Sequence, residues 1–337
     1  MINLRYHIIS ITAIFLALGI GVALGSTFLD KATVDQLETN IARAEKRIDD
    51  TRAKSRQLQT QVDQANRRDE ALKALGSQEL FVGMLRDDPV VVITYDGTDK
   101  QSLSTLTDTL IGADADLLGT LTIDSGFLAD GDRTADRAKC IDLPESSSEG
   151  TVRRSIAERL GDALVGASRS TGQAPPDEDS ATTTTALPRS PDGEPEIITQ
   201  LRACGLMSYT PPEGGSEDDP VLVGSDNRYV FASNAAPPVS DDTLLMPMLR
   251  HQVEQRPSTA LVVASAAVDD DPEATRTTVV GPIRRDDDLS AATSTVDDLE
   301  SFSGVAATVL ALRDVDRDVY GHYGVGGGAT AQLPPGT

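Results

Sequence analysis

Residues Ile8 to Leu72 restrict what this chain can fold into more than any other stretch. They begin as an uncharged apolar run, Ile8 to Gly25, and pass without a proline into a heptad pattern. With Val34 taken as position a, the a residues are Val34, Ile41, Ile48, Ser55, Val62 and Asp69. The d residues are then Leu37, Ala44, Thr51, Leu58, Ala65 and Leu72. Apolar residues alternately three and four apart predict a coiled coil, with a seam about 58 Å long at ~1.5 Å per residue. The interface is expected at Val34, Leu37, Ile41, Ala44, Ile48, Leu58, Val62 and Leu72.

The apolar run before it reaches about 27 Å as a helix, enough for one bilayer core. Arg5 precedes the run, while Asp30, Lys31, Asp35 and Glu38 follow it. Positive charge favours the cytoplasmic side, so the N-terminus is expected inside and the rest of the chain outside the cell membrane. The competing reading is a cleavable signal peptide, because Ala23-Leu24-Gly25 has the small residues of a cleavage site. Small residues recur at every fourth position, Ala13, Ala17, Gly21 and Gly25, a ridge along which two helix backbones can approach in lipid.

Flanking charge tests whether the stalk pairs with itself. β-branched a residues with Leu or Ala at d favour a parallel two-stranded coil, in which each g residue meets the following e residue of its partner. In a homodimer Arg47 would face Arg52 and Arg68 would face Lys73, and no attractive pair compensates. Such repulsions discriminate between partners. The expected partner is a membrane protein with a complementary, acidic coiled-coil helix; a homodimer that tolerates the repulsion is the alternative.

Composition narrows the rest. The 337 residues carry a formal charge of −23, and the stalk is basic, so the acidic excess lies beyond it. Such a surface repels phosphate backbones, and nucleic acid is excluded as a partner. The two cysteines, Cys140 and Cys204, form no CxxC motif. Outside the cytoplasm they would form a disulfide; the alternative is a pair of free thiols with a redox or metal role.

Beyond Gly76 the pattern changes to that of an α/β domain. Val90-Val91-Val92-Ile93-Thr94 reads as a buried strand, Leu103, Leu106 and Leu110 as a helix, and Ala115 to Ile123 as a second strand. This βαβ opening predicts an open parallel, Rossmann-like sheet with flanking helices. Helical spacing returns at Val152, Ile156, Leu160 and Ala163, at Ile197, Ile198 and Leu201, and at Leu244, Leu245, Met248 and Leu249. Val221-Leu222-Val223, Tyr229-Val230-Phe231 and Ala260 to Ala266 read as strands. Ser301 is placed to cap a last helix containing Val305, Val309, Leu310 and Leu312. Residues 166–195, rich in Ser, Thr, Pro and acids, read as a disordered insertion, and 321–337 as a flexible glycine-rich tail. The expected layout is anchor 1–29, coiled coil 30–76, extracytoplasmic α/β domain 77–320 and tail.

Catalytic signatures are missing. There is no HExxH, no GxSxG, no P-loop and no GxGxxG after a strand, which points away from an enzyme and from a bound cofactor. Asp96, at the end of the first strand, occupies the edge where open sheets take ligands, although a turn-forming Asp-Gly explains it more simply. The one grouping with metal character is Met246, Met248 and His251, since thioethers select Cu(I). Met248 also falls on an apolar stripe with Leu244, Leu245 and Leu249, which makes it a core residue instead.

The opening Met1-Ile2-Asn3-Leu4-Arg5-Tyr6-His7, the Phe15-Leu16-Ala17-Leu18 and Gly21-xxx-Gly25-Ser26 pattern, and the late Gly321-His322-Tyr323-Gly324 together resemble the actinobacterial MctB family. The resemblance covers the whole layout. It implies copper transport or homeostasis in the cell envelope. The family also includes SteB-like proteins, whose implied role is in cell division, with a SteA-like membrane partner and an influence on peptidoglycan hydrolysis. One apolar span cannot itself enclose a channel. The expectation is therefore a paired binding or regulatory module, with an indirect effect on copper.

Overall fold

The computed structural model describes residues 4–79, 81–124, 133–167, 188–224, 226–234, 244–255, 259–265 and 279–335. Within the first helix the side chains of residues 4, 26–35, 61 and 63–79 are outside the description, so the interface positions Val34 and Leu72 are not placed. Of the expected insertion, 168–187 also lies outside the described residues, as does Ala266. The chain divides into two units, Met1–Arg68 and Asp69–Thr337.

The first unit is helical. Helix α1, Leu4–Glu79, runs 76 residues without a break. Its Arg5–Gly25 portion is long and apolar enough to cross a membrane, and none of that portion is buried. Gly76 does not end the helix, which continues for three residues; a mid-helix glycine costs only about 1 kcal/mol.

The second unit is a seven-stranded sheet. Its strands are β1 Pro89–Tyr95, β2 Asp116–Ile123, β3 Met207–Thr210, β4 Arg228–Ser233, β5 Leu261–Ser265, β6 Ser294–Val296 and β7 His322–Tyr323. They lie in the order β3-β2-β1-β4-β5-β6-β7. All neighbours are parallel except β2 and β3, so the sheet is mixed where the sequence predicts parallel strands only. Strand β3 has four residues with one buried alternation, too short to announce itself.

Helices cover both faces, which is why β1 is a continuous apolar run. Val91, Ile93 and Tyr95 face one layer with Tyr229, Phe231, Leu261 and Val263. That layer is closed by α3 Thr134–Cys140, α4 Glu149–Gly166, α5 Glu196–Ala203, α6 Leu245–Gln255, α7 Val280–Arg285 and α8 Asp287–Ala292. Val90 and Val92 face the other layer, against α2 Lys100–Gly112 and α9 Phe302–Val315. Each buried Val, Leu or Ile contributes about 1.5–3 kcal/mol. The N-terminus of α9 is capped by Ser301, whose hydroxyl oxygen accepts from the Gly304 N–H at 3.0 Å.

Two local expectations change. Val221-Leu222-Val223 is not a strand. Val221 and Leu222 are buried, Leu222 has φ +59°, and the carbonyls of Leu222 and Val223 accept from Arg189 instead of a neighbouring strand. The glycine-rich tail is also not free: His322–Tyr323 is β7, and the residues after it fold over a buried carboxylate.

Candidate functional site

An open doubly wound sheet presents ligands with a crevice at the carboxyl ends of its strands, where the strand order reverses. Here that place lies between β1 and β4. Its polar groups fasten the two strands to each other. The Thr94 hydroxyl donates to the Ala232 carbonyl at 2.8 Å. The Asn234 side chain accepts from the Asp99 N–H at 3.0 Å and donates to the Gly97 carbonyl at 2.9 Å. Asp99 caps α2: its carboxylate accepts from the N–H and hydroxyl of Ser102, and these bonds hold its pKa below the usual carboxylate range. Asp96 stands at the turn after β1, its N–H donating to the Ile123 carbonyl. Among the described residues the arrangement anchors a helix and a turn.

Met246, Met248 and His251 do not all share one face of their helix. All three lie on α6, where successive residues turn by about 100°, so Met246 and Met248 point to nearly opposite sides. Both methionines are buried in the hydrophobic layer beside α4. His251 instead meets Asp162 of α4, Nε2 to Oδ1 at 2.7 Å, and Gln255 donates to the same carboxylate oxygen. The grouping joins α6 to α4. Among the described residues no set of three or more His, Cys, Asp or Glu side chains is arranged to hold a metal ion.

Cys140 at the end of α3 and Cys204 just after α5 are bonded to each other, with Cα atoms 6.2 Å apart. Along α1, the heptad residues Leu37, Ile41, Ala44, Ile48, Leu58 and Val62 are exposed, with Ile41, Ile48 and Leu58 each about half accessible at 50%, 49% and 51%. The ridge residues Ala13, Ala17, Gly21 and Gly25 are exposed too. A Cβ added to Gly21 or Gly25 would meet nothing within 4 Å.

Sequence reasoning misses the centre formed by Asp297 and the tail. Asp297 follows β6 and is fully buried, with side-chain exposure of 0% against 3% for its partner Arg284 of α7. Arg284 Nη1 donates to Asp297 Oδ2 at 2.7 Å, Nε to the Thr295 hydroxyl at 2.9 Å, and Nη2 to the Tyr323 carbonyl at 2.8 Å. The other carboxylate oxygen accepts from the Val325 and Gly326 N–H groups. Gly324 has φ +123°, and a Cβ there would sit 2.1 Å from Asp297 Oδ1. Only glycine passes. His322 Nδ1 lies 2.8 Å from the Thr295 hydroxyl, and burial together with the Arg284 charge pushes its pKa down. The available sequence signal was the Gly324 to Gly328 tract, which reads equally well as a loose end.

A family model described as "Copper transport outer membrane protein, MctB" matches residues 1–334. Proteins named copper transporter MctB from Mycobacterium bovis and Mycobacterium tuberculosis are each 24% identical over 349 aligned positions. The alignments cover 98% of this chain and 98% of each relative.

Proposed function

The chain belongs to the MctB family, and from that premise we propose a single-span envelope protein that serves copper homeostasis as a helix-paired, non-enzymatic binding or regulatory module. The observation that carries this reading is the exposed heptad seam of α1. Five β-branched or leucine side chains, Leu37, Ile41, Ile48, Leu58 and Val62, stand open to solvent at a/d spacing. An isolated helix gains nothing from such a stripe; a second helix buries it. The order of charges around the span favours an inside N-terminus. A Cys140–Cys204 disulfide suits an oxidising space outside the cytoplasm. The relatives are named copper transporters, yet here the thioethers of Met246 and Met248 diverge into a packed layer. Copper handling is therefore assigned to what the helix recruits and not to conduction by this chain.

One observation favours a second reading, a SteB-like scaffold of cell division and wall remodelling. The basic g and e positions Arg47, Arg52, Arg68 and Lys73 disfavour self-pairing and fit an acidic, SteA-like partner helix. Affinity capture from membranes, with wild type and with Ile41, Ile48 and Leu58 changed to serine, tests the shared premise. A partner lost with the triple variant supports pairing; capture that is unchanged overturns it. Copper sensitivity of a deletion strain with normal septation favours the copper role, whereas chained cells at ordinary copper favour the scaffold.

A further inference from the structure

At the amino-terminal edge of the sheet, opposite the crevice of the strand-order reversal, lies a cavity of about 620 Å³. Its size is that of a ligand site. The floor is Asn227, the residue before β4, only 1% exposed. Its backbone N–H donates to the Ala167 carbonyl, so its position is fixed. Yet both its carboxamide oxygen and nitrogen are buried without a hydrogen-bond partner. Leaving such a group unpaired costs about 1–3 kcal/mol, so an amide of this kind calls for a partner that enters the cavity. The walls are apolar, from Leu117, Leu118, Val221 and Leu222 among others.

The walls are held in shape from behind. A register shift between Val90 and Val91 against β2 leaves Leu118 bulged, and its carbonyl accepts from the Tyr209 hydroxyl at 2.6 Å. The loop carrying Val221 and Leu222 is tied to Glu194, which accepts from the Val221 N–H at 3.0 Å, and to Arg189, which donates to the Leu222 carbonyl at 3.2 Å. Glu194 in turn accepts from Arg202 at 2.6 Å. A site shaped in advance loses less entropy on binding.

Charge narrows the occupant. Among the described residues, Asp116, Asp219 and Asp226 line the cavity and no basic residue does. Three described cations next to the lining are each engaged: Arg228 is bonded to Asp88 at 2.6 Å and to Asp316, Arg202 to Glu194, and Arg189 to the carbonyls of Leu222 and Val223. A planar carboxamide with one donor edge and one acceptor edge matches the N–H and C=O of a single residue in an extended peptide. We infer that this cavity binds an extended peptide segment, with Asn227 pairing to the backbone of one residue, an apolar side chain against Leu117 and Leu222, and a lysine or arginine toward Asp116 and Asp226.

The chain has five asparagines, Asn3, Asn40, Asn66, Asn227 and Asn234, so selective ¹⁵N-asparagine labelling gives a spectrum simple enough to read on the full chain in nanodiscs. The probes are N-acetyl-Leu-Lys-amide and N-acetyl-Leu-Glu-amide. The expected result is a saturable shift of the Asn227 side-chain amide pair, with the lysine peptide about tenfold tighter than the glutamate peptide. Asp116→Asn with Asp226→Asn should remove most of that preference while the amide still shifts. Asn227→Leu assigns the resonance by its loss; should that variant not fold, changing the other four asparagines to glutamine one at a time assigns it by elimination. An Asn227 amide pair that stays still up to the solubility limit, as for a trapped water, overturns the inference. Equal binding of the two peptides overturns its charge component.

Discussion

Glycine appears for opposite reasons in the two units. In α1, Gly21 and Gly25 leave space with nothing within 4 Å of an added Cβ among the described residues. After β7, Gly324 lets the backbone close on Asp297 so tightly that a methyl group would overlap the carboxylate. The same contrast holds for the larger side chains. Ile41, Ile48 and Leu58 display half their surface, whereas Val90 to Val92 of β1 show none. One unit leaves its apolar side chains open, and the other covers its own. On the proposed pairing, association energy is concentrated in α1, and unfolding energy in the sheet.

The largest expected effect tests the self-sufficient side. Asp297→Ala leaves the Arg284 guanidinium buried without its charge partner, which costs about 3–5 kcal/mol. Denaturant unfolding of the full chain, followed by a probe on the sheet domain, should show that loss while capture of the helix partner persists. Next comes the open side. Serine at Ile41, Ile48 and Leu58 removes about 1 kcal/mol of association per residue, given that roughly half of each side chain remains to be covered. The sheet's unfolding midpoint should not move; a shift of the same size there would erase the distinction between the units. Gly324→Ala should then cost about 1–3 kcal/mol from the contact and the left-handed backbone together.

The smallest effect depends on pH. His322 has its pKa pushed below the ordinary 6.5 by burial and by Arg284, so the unfolded chain binds the proton more readily than the folded one. Its contribution is full above pH 6.5 and is lost as the pH falls below that value. Thermal melting between pH 7 and pH 5 should decline in wild type, and the decline should be shallower in His322→Gln. Identical slopes would mean that β7 does not respond to this proton.

These differences also explain what could be read from residues in order. The strands β1, β4 and β5 and helices α2, α4 and α9 declare themselves because both faces of the sheet are covered, which makes their apolar runs long or periodic. The Ser301 cap is local and equally legible. Strands β6 and β7 are three and two residues long and carry no period. The Asp297 centre joins α7, β6 and the tail, and the buried Asn227 floor joins segments more than a hundred residues apart. Neither is a spacing, so neither could be found by spacing. Met246 and Met248 show the reverse: they are close in sequence, and the helix turns them apart.

The claim that matters most is that α1 is built for a different helix. The most direct measurement places the photo-crosslinker p-benzoylphenylalanine at Ile48 of the full chain in its native membrane and identifies the adduct by mass. The expected result is one dominant adduct with another membrane protein whose linked peptide lies in an acidic heptad segment. An adduct of two copies of this chain, formed in high yield at physiological salt with no second protein, would contradict it.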